Sequence, residues 1–228
     1  MLVRVARRLL AWPSVEHLYI SIDTPQLLEA IPFIGEAQRE GRVTILRSRS
    51  SPSQSVIDAL EAAEVEAEPV LVTTADHALL DDTILDAFFE PALASPADLN
   101  VGLVSRTIIE ERFPTAKRTY LDFRDDGYSG ANLFLFKNRS SREAAAFWRR
   151  VENDRKKPWR IAKAFGIGTL VLFMARRLTL ESAMERVSGI VGTRVEAIKI
   201  PIAEAAVDVD KVEDWELVRE ILAARAGP

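Results

Sequence analysis

Near the start of the chain apolar residues recur at helical spacing. Leu2, Val5, Ala6, Leu9 and Leu10 fall at i, i+3, i+4, i+7 and i+8, while Arg4, Arg7 and Arg8 lie off that stripe. The spacing predicts an amphipathic helix over 1–12 with one buried face. A targeting segment has an apolar centre that charges do not interrupt, so that reading is set aside. The pattern then shortens. "HLYISI" (17–22), "RVTIL" (42–46), "PVLVTTA" (69–75) and "ADLNVGLVSR" (97–106) predict four strands. The third lacks polar alternation, which predicts a strand buried on both faces, as in a parallel sheet covered by helices.

Helical stretches separate the strands. "SPSQSVIDALEAAEVEA" (51–67) opens on Ser, Pro and Ser and places Val56, Leu60 and Ala63 on one face. "DDTILDAFFEPAL" (81–93) has acids in its first turn, where the helix dipole favours them. Over 118–137 two strands join through "RDDG", a hairpin signal. Helices are predicted at 141–156, 159–177 and 179–190, then a strand at 194–200, an extended "AVDVD" (206–210) and a last helix from about 212. The stretch "AFGIGTLVLFMA" (164–175) is too short to span a bilayer and is read as a buried helix. There is no repeat and no long linker, so residues 1–228 read as one α/β domain with a three-layer, Rossmann-like, mostly parallel sheet and a small antiparallel insertion.

Composition narrows the function. The 228 residues suffice for a substantial core, and 48% hydrophobic with 28% charged residues is ordinary for a globular chain. A net charge of -4 argues against a nucleic-acid partner, which needs a basic face, and nothing points to a membrane partner. The absence of cysteine excludes disulfides, thiolate zinc sites and a cysteine nucleophile, and fits a reducing cytoplasm.

Candidate chemistry lies at strand ends, where ligands sit in open parallel sheets. Asp76 ends the third strand, either as a cap for the following turn and helix or as an oxygen ligand for a hard cation such as magnesium. Asp208 and Asp210 alternate on an extended segment and face opposite sides, so one can point inward while the other caps the last helix. Lys117 and Arg118 are adjacent cations suited to phosphate, or are solvated surface charge. Gly130 and Asn132 interrupt an apolar strand, where glycine marks a close approach. Ser53, Gln54 and Ser55 stand at a helix start, as caps or as contacts to a nucleotide base. His77 follows Asp76 and reads as a structural neighbour.

Taken in order, "VLVTTADHALL", "YSGANLFLF" and "VDVDKVEDWELV", with "SPSQSVIDAL" before them, resemble the MobA-like nucleotidyltransferases, of the nucleotide-diphospho-sugar transferase fold. The resemblance covers essentially the whole chain. Ala78 stands where that family has Pro. The family also opens with a strand and a glycine-rich phosphate loop, whereas "MLVRVARRLL" matches the helix that follows them. The expectation is a chain that starts at an internal Met or is truncated, lacking a strand near the middle of the sheet.

The resemblance implies a magnesium-dependent enzyme that moves a nucleoside monophosphate from an NTP to a small phosphorylated acceptor and releases pyrophosphate. It implies Asp76 and Asp208 as catalytic metal ligands, with Asp210 as the fallback. It places Lys117, Arg118 and Asn132 on the acceptor side and Ser55 near the base, with Thr74, Ala75 and Gly130 also against substrate. A glycosyltransferase of the same fold using a nucleotide sugar, and a non-catalytic remnant or binding module, are the alternatives.

Overall fold

The structure, a computed structural model, describes residues 1–63, 69–116, 118–154 and 166–226. Its elements run α1 (Leu2–Ala11), β1 (Leu18–Ile22), α2 (Gln26–Glu29), α3 (Pro32–Arg39), β2 (Val43–Arg47), α4 (Pro52–Ala62), β3 (Val70–Thr73), α5 (Asp82–Ala94), β4 (Leu99–Ser105), α6 (Arg106–Arg112), β5 (Leu121–Asp122), β6 (Gly127–Phe136), α7 (Ser141–Asp154), α8 (Ile167–Met174), α9 (Leu180–Val191), β7 (Val195–Lys199) and α10 (Val212–Ala226). A 3-10 turn, Ala203–Ala206, leads into the last helix. Among the described residues no helix is long and apolar enough to cross a membrane.

The strands form two sheets. β1 and β2 pair in parallel. The larger sheet has the order β3-β6-β4-β7, with β5 hairpinned onto β6. β6 runs against both β3 and β4, and β4 is parallel to β7, so β3, β4 and β7 share one direction. Alternation along β6 builds three layers. Leu133 and Leu135 face a cluster with Val5, Leu9 and Trp12 of α1 and Ile84 and Phe88 of α5. Phe134 and Phe136 face Leu60 of α4, Ala144 and Phe147 of α7 and Val191 of α9.

Two helices span the two sheets. α1 lends Val5, Leu9 and Trp12 to the larger sheet's cluster and Ala6 to a separate one with Ile20, Leu28, Ile34 and Val43. On the other face, α4 packs on α7 and accepts a hydrogen bond from Tyr19 of β1 to the Ala62 carbonyl (3.0 Å). Ser53 and Gln54 at the start of α4 bond Glu152 and Arg149 late in α7, while Arg142, early in α7, bonds the Leu60 carbonyl. The two helices are therefore antiparallel. Because a helix returns against the strand it follows, β2 and β3 present their carboxyl ends on the same side.

The expectation that β3 is buried on both faces is corrected. All four of its residues are only partly buried. Its side chains do face helices on both sides, but among the described residues β3 bonds to β6 alone and its other edge has no ladder partner. The helix expected to be buried at 164–175 is also corrected. None of Ile167–Met174 is buried, and Ile167, Val171 and Met174 are 72%, 57% and 75% exposed. Among the described residues, Leu172 and Phe173 are the ones of this helix that pack on the cluster of Leu103, Phe123 and Tyr128. The remainder of the helix predicted over 159–177, and residues 64–67 of the one over 51–67, lie outside the described residues.

Close packing bends β6 where the site lies. Between Val101 and Leu103 the β4 partner jumps from Phe134 to Gly130, so Ala131–Leu133 bulge out of register. Gly102 makes room for this. A Cβ there would lie 3.2 Å from Leu133 Cβ and 3.2 Å from Phe88 Cδ2. At the crest of the bulge Asn132 adopts φ 50°, a left-handed conformation that Asn tolerates better than most residues.

Candidate active site

The chain leaves β3 at Thr73 and turns tightly before α5. The Ala78 amide donates to the Asp76 carbonyl (2.8 Å) and the Leu80 amide to the His77 carbonyl (3.1 Å). Side chains from both ends of the chain hold this loop. Arg4 of α1 donates to the Ala78 carbonyl (2.7 Å), and Arg225 of α10 donates to the Leu79 carbonyl (3.2 Å) while pairing with Asp81 (2.8 Å). Asp81 caps α5 by accepting from the Ile84 amide (3.0 Å). Asp76 is therefore not the helix cap. Its carboxylate, partly exposed, accepts a short hydrogen bond from the Thr74 hydroxyl, and Ala75 beside it is exposed.

Beneath Asp76 lies His77, only 1% exposed. Burial pushes its pKa down to about 4, although Asp76, Asp208 and Asp81 all act to raise it. The ring is thus neutral at neutral pH. Asp208 arrives from the segment before α10. One of its oxygens accepts from Arg118 Nη1 (3.0 Å) and the other from Asn132 Nδ2 (3.3 Å). Arg118 is nearly buried and lies 3.1 Å from Asp214 as well, so one guanidinium joins two carboxylates. Such a buried cation needs both partners to offset its lost hydration. Asp214 also accepts from the amides of Asp210 and Lys211 (3.2 and 3.1 Å), fixing the turn that presents Asp208.

Arg118 and Asn132 thus hold Asp208 from separate segments, and Asp76, from another, shares with Asp208 an electrostatic effect on His77. Asp210 is exposed, and its amide donates to Asp214. Gly130 is exposed, and a Cβ there would meet nothing within 4 Å, so the space beside it is open. Lys117 lies outside the described residues. Ser55 belongs to a second region, accepting from the Arg49 amide (2.9 Å) and donating to the Ser51 carbonyl (3.2 Å). There the end of β2 and the start of α4 border an open cleft of about 820 Å³ lined by Arg47, Arg49, Gln54 and Asp58 among others. Sequence reasoning missed Arg4, Arg225 and Asp214 as builders of the site. Their only sequence signal is charge on otherwise amphipathic or capped helices.

The donor set suits a hard cation. Among the described residues no three His, Cys, Asp or Glu side chains gather in a metal-binding cluster. Magnesium needs only one or two carboxylates, since water and phosphate oxygens complete its octahedron. Asp76, with one hydrogen bond, and Asp208, with one per oxygen, keep lone pairs for that role.

No family model matches the chain, and no curated protein matches it. Solved structures do. A hypothetical transferase from Thermus thermophilus is similar over 87% of this chain and 99% of its own, with a TM-score of 0.69 and 25% identity. A 4-diphosphocytidyl-2C-methyl-D-erythritol synthase from Anaerococcus prevotii matches over 97% and 85%, with a TM-score of 0.57 and 8% identity. A 2-C-methyl-D-erythritol 4-phosphate cytidylyltransferase from Francisella tularensis matches over 96% and 86%, with a TM-score of 0.57 and 9% identity. The chain has the α/β fold of these transferases.

Proposed function

We propose that the chain is a magnesium-dependent nucleotidyltransferase of the MobA-like kind, transferring a nucleoside monophosphate from an NTP to a small phosphorylated acceptor. The observation that carries this reading is that Asp76, at the end of β3, and Asp208, held by Arg118 and Asn132, both act on His77, in a fold shared with cytidylyltransferases. Asp76 and Asp208 would hold the cation, with Asp210 in reserve. The bound cation would neutralise charge on the triphosphate. An acceptor phosphate oxygen then bonds to the α-phosphorus, the bond from that phosphorus to the bridging oxygen breaks, and pyrophosphate leaves. Such a transfer needs positioning and charge stabilisation rather than a covalent intermediate.

The chain's own residues would divide the work. Arg118 and Asn132 orient Asp208 and border the acceptor side, where the resemblance also puts Lys117. Thr74 orients Asp76, and Ala75 and Gly130 leave room for substrate. Ser55 shapes the cleft at the start of α4, where Arg47 and Arg49 would favour the nucleotide. We further propose that a strand bearing the phosphate loop inserts between β1 and β3. The unpaired edge of β3 and the helices that already bridge the two sheets support this.

The test is pyrophosphate release from each NTP with phosphorylated acceptors, using the 228-residue chain and a version extended upstream. Asp76→Asn should lower turnover by about 100-fold or more while leaving the circular dichroism unchanged, an effect typical of a lost electrostatic contact to the reacting group. Unchanged turnover would overturn the role of Asp76. Release of free nucleoside diphosphate in place of pyrophosphate would overturn the reaction.

A further inference from the structure

The buried polar group left unused by this chemistry is the imidazole of His77. It is 1% exposed, and neither ring nitrogen has a hydrogen-bond partner in the structure. A neutral imidazole carries one N–H donor and one bare acceptor nitrogen. Buried polar atoms are paired in the great majority of cases, and leaving both unpaired destabilises the fold. A phenyl ring would fill the same space without that penalty, so a histidine here calls for a reason other than packing.

The surroundings supply one. Asp76, Asp208 and Asp81 are the charged groups that act on the ring. Asp81 is committed to the α5 cap and to Arg225, and Asp208 to Arg118 and Asn132. Among the described residues Asp76 has only Thr74. Carboxylates that ligate cations are themselves held by outer hydrogen bonds, which set their orientation. A neutral donor can do this without placing a positive charge beside the cation.

We propose that His77 is a positioning residue, whose ring N–H donates to the neighbouring Asp76 carboxylate when a divalent cation binds and fixes the oxygen that faces it. The inference rests on the cation reading of the site. Two measurements test it on the full chain. The first is Mn2+ affinity by electron paramagnetic resonance for wild type, His77→Phe and His77→Gln. The phenylalanine variant should melt at or above the wild-type temperature yet bind Mn2+ about tenfold more weakly, and glutamine, which keeps a donor, should recover most of the loss. The second is the ring nitrogen resonances of wild type as Mg2+ is added. The chain has two histidines, and His17, bonded to Thr44 Oγ1 at 2.9 Å, serves as the internal reference. The His77 signals should move and those of His17 should not. Wild-type Mn2+ affinity in His77→Phe overturns the proposal, as do unmoved His77 signals in a wild type that binds the ion. A wild type that binds no Mn2+ overturns the cation reading itself and this inference with it.

Discussion

The β1–β2 pair and the five-stranded sheet differ in what secures them. In the larger sheet β4 lies between β6 and β7, and Leu133, Leu135, Ile84, Leu85 and Phe88 are completely buried around it. The smaller pair has a single parallel ladder of its own. It is tied to the rest through α1, α4 and the Tyr19 hydroxyl, without a backbone ladder to β3. The chemistry divides along the same line. The carboxylates Asp76 and Asp208 stand on the larger sheet's side, and the arginines of the open cleft stand at the end of β2. The division teaches that two candidate regions, the Asp76 and Asp208 carboxylates and the cleft at the end of β2, rest on supports of unequal strength.

The largest effect should come from the centre of the larger sheet. Phe88→Ala removes a fully buried ring and should cost about 3–5 kcal/mol in urea unfolding, lowering the whole transition. A loss below 1 kcal/mol would break the contrast between the sheets. Next is pH. His77 titrates near pH 6.5 when unfolded but only at about 4 when folded, so the unfolded chain takes up its proton first as the solution is acidified. The stability from keeping this ring neutral is complete above pH 6.5 and is lost as pH falls toward 4, by about 3 kcal/mol in all. Asp76, Asp208 and Asp81 face the ring and soften the loss. His77→Phe should flatten this part of the pH–stability curve, and an unchanged slope between pH 6.5 and 4 would place its origin elsewhere.

Ile20→Ala probes the weaker support. Its side chain is 7% exposed in the small cluster, and the expected cost is about 2 kcal/mol. Amides of β1 and β2 should then exchange faster while those of β4 and β6 keep their protection, which hydrogen exchange reads directly. Uniform acceleration would mean that the two sheets open as one. The smallest effect is local to the cleft. Ser51 caps α4 by accepting from the Gln54 amide (3.3 Å), and Ser51→Ala should cost about 1 kcal/mol, visible as fraying of the first turn of α4.

Most of the fold was legible because period-2 and period-3.6 patterns report which faces are covered. They do not report strand edges. Val70, Leu71 and Val72 are apolar because helices lie on both sides of β3, and nothing in that pattern registers that, among the described residues, β3 pairs with β6 alone. The apolar run 167–174 misled for a related reason: composition states what each side chain prefers, not how many faces of a helix find a partner. Around 26–39, Pro32 and Gly35 broke the pattern into pieces too short to name, and α2 and α3 went unread. At the site, the structure ties Asp208 to Arg118 and Asn132 and leaves Asp210 exposed. Arg118 read as a free cation because Asp214, which shares it, is far off in the sequence.

The loop carrying Asp76 is gripped by Arg4 from the first helix and Arg225 from the last. The strand that delivers Asp76 is made well before Asp208, Asp214 and Arg225, and Arg225 meets Leu79 across 146 residues. The loop's second brace is thus a contact of long sequence separation, which forms slowly. A collapsed chain can bury much of its core while this loop is still unbraced, so ligand binding at the site reports that the long-range closure has taken place.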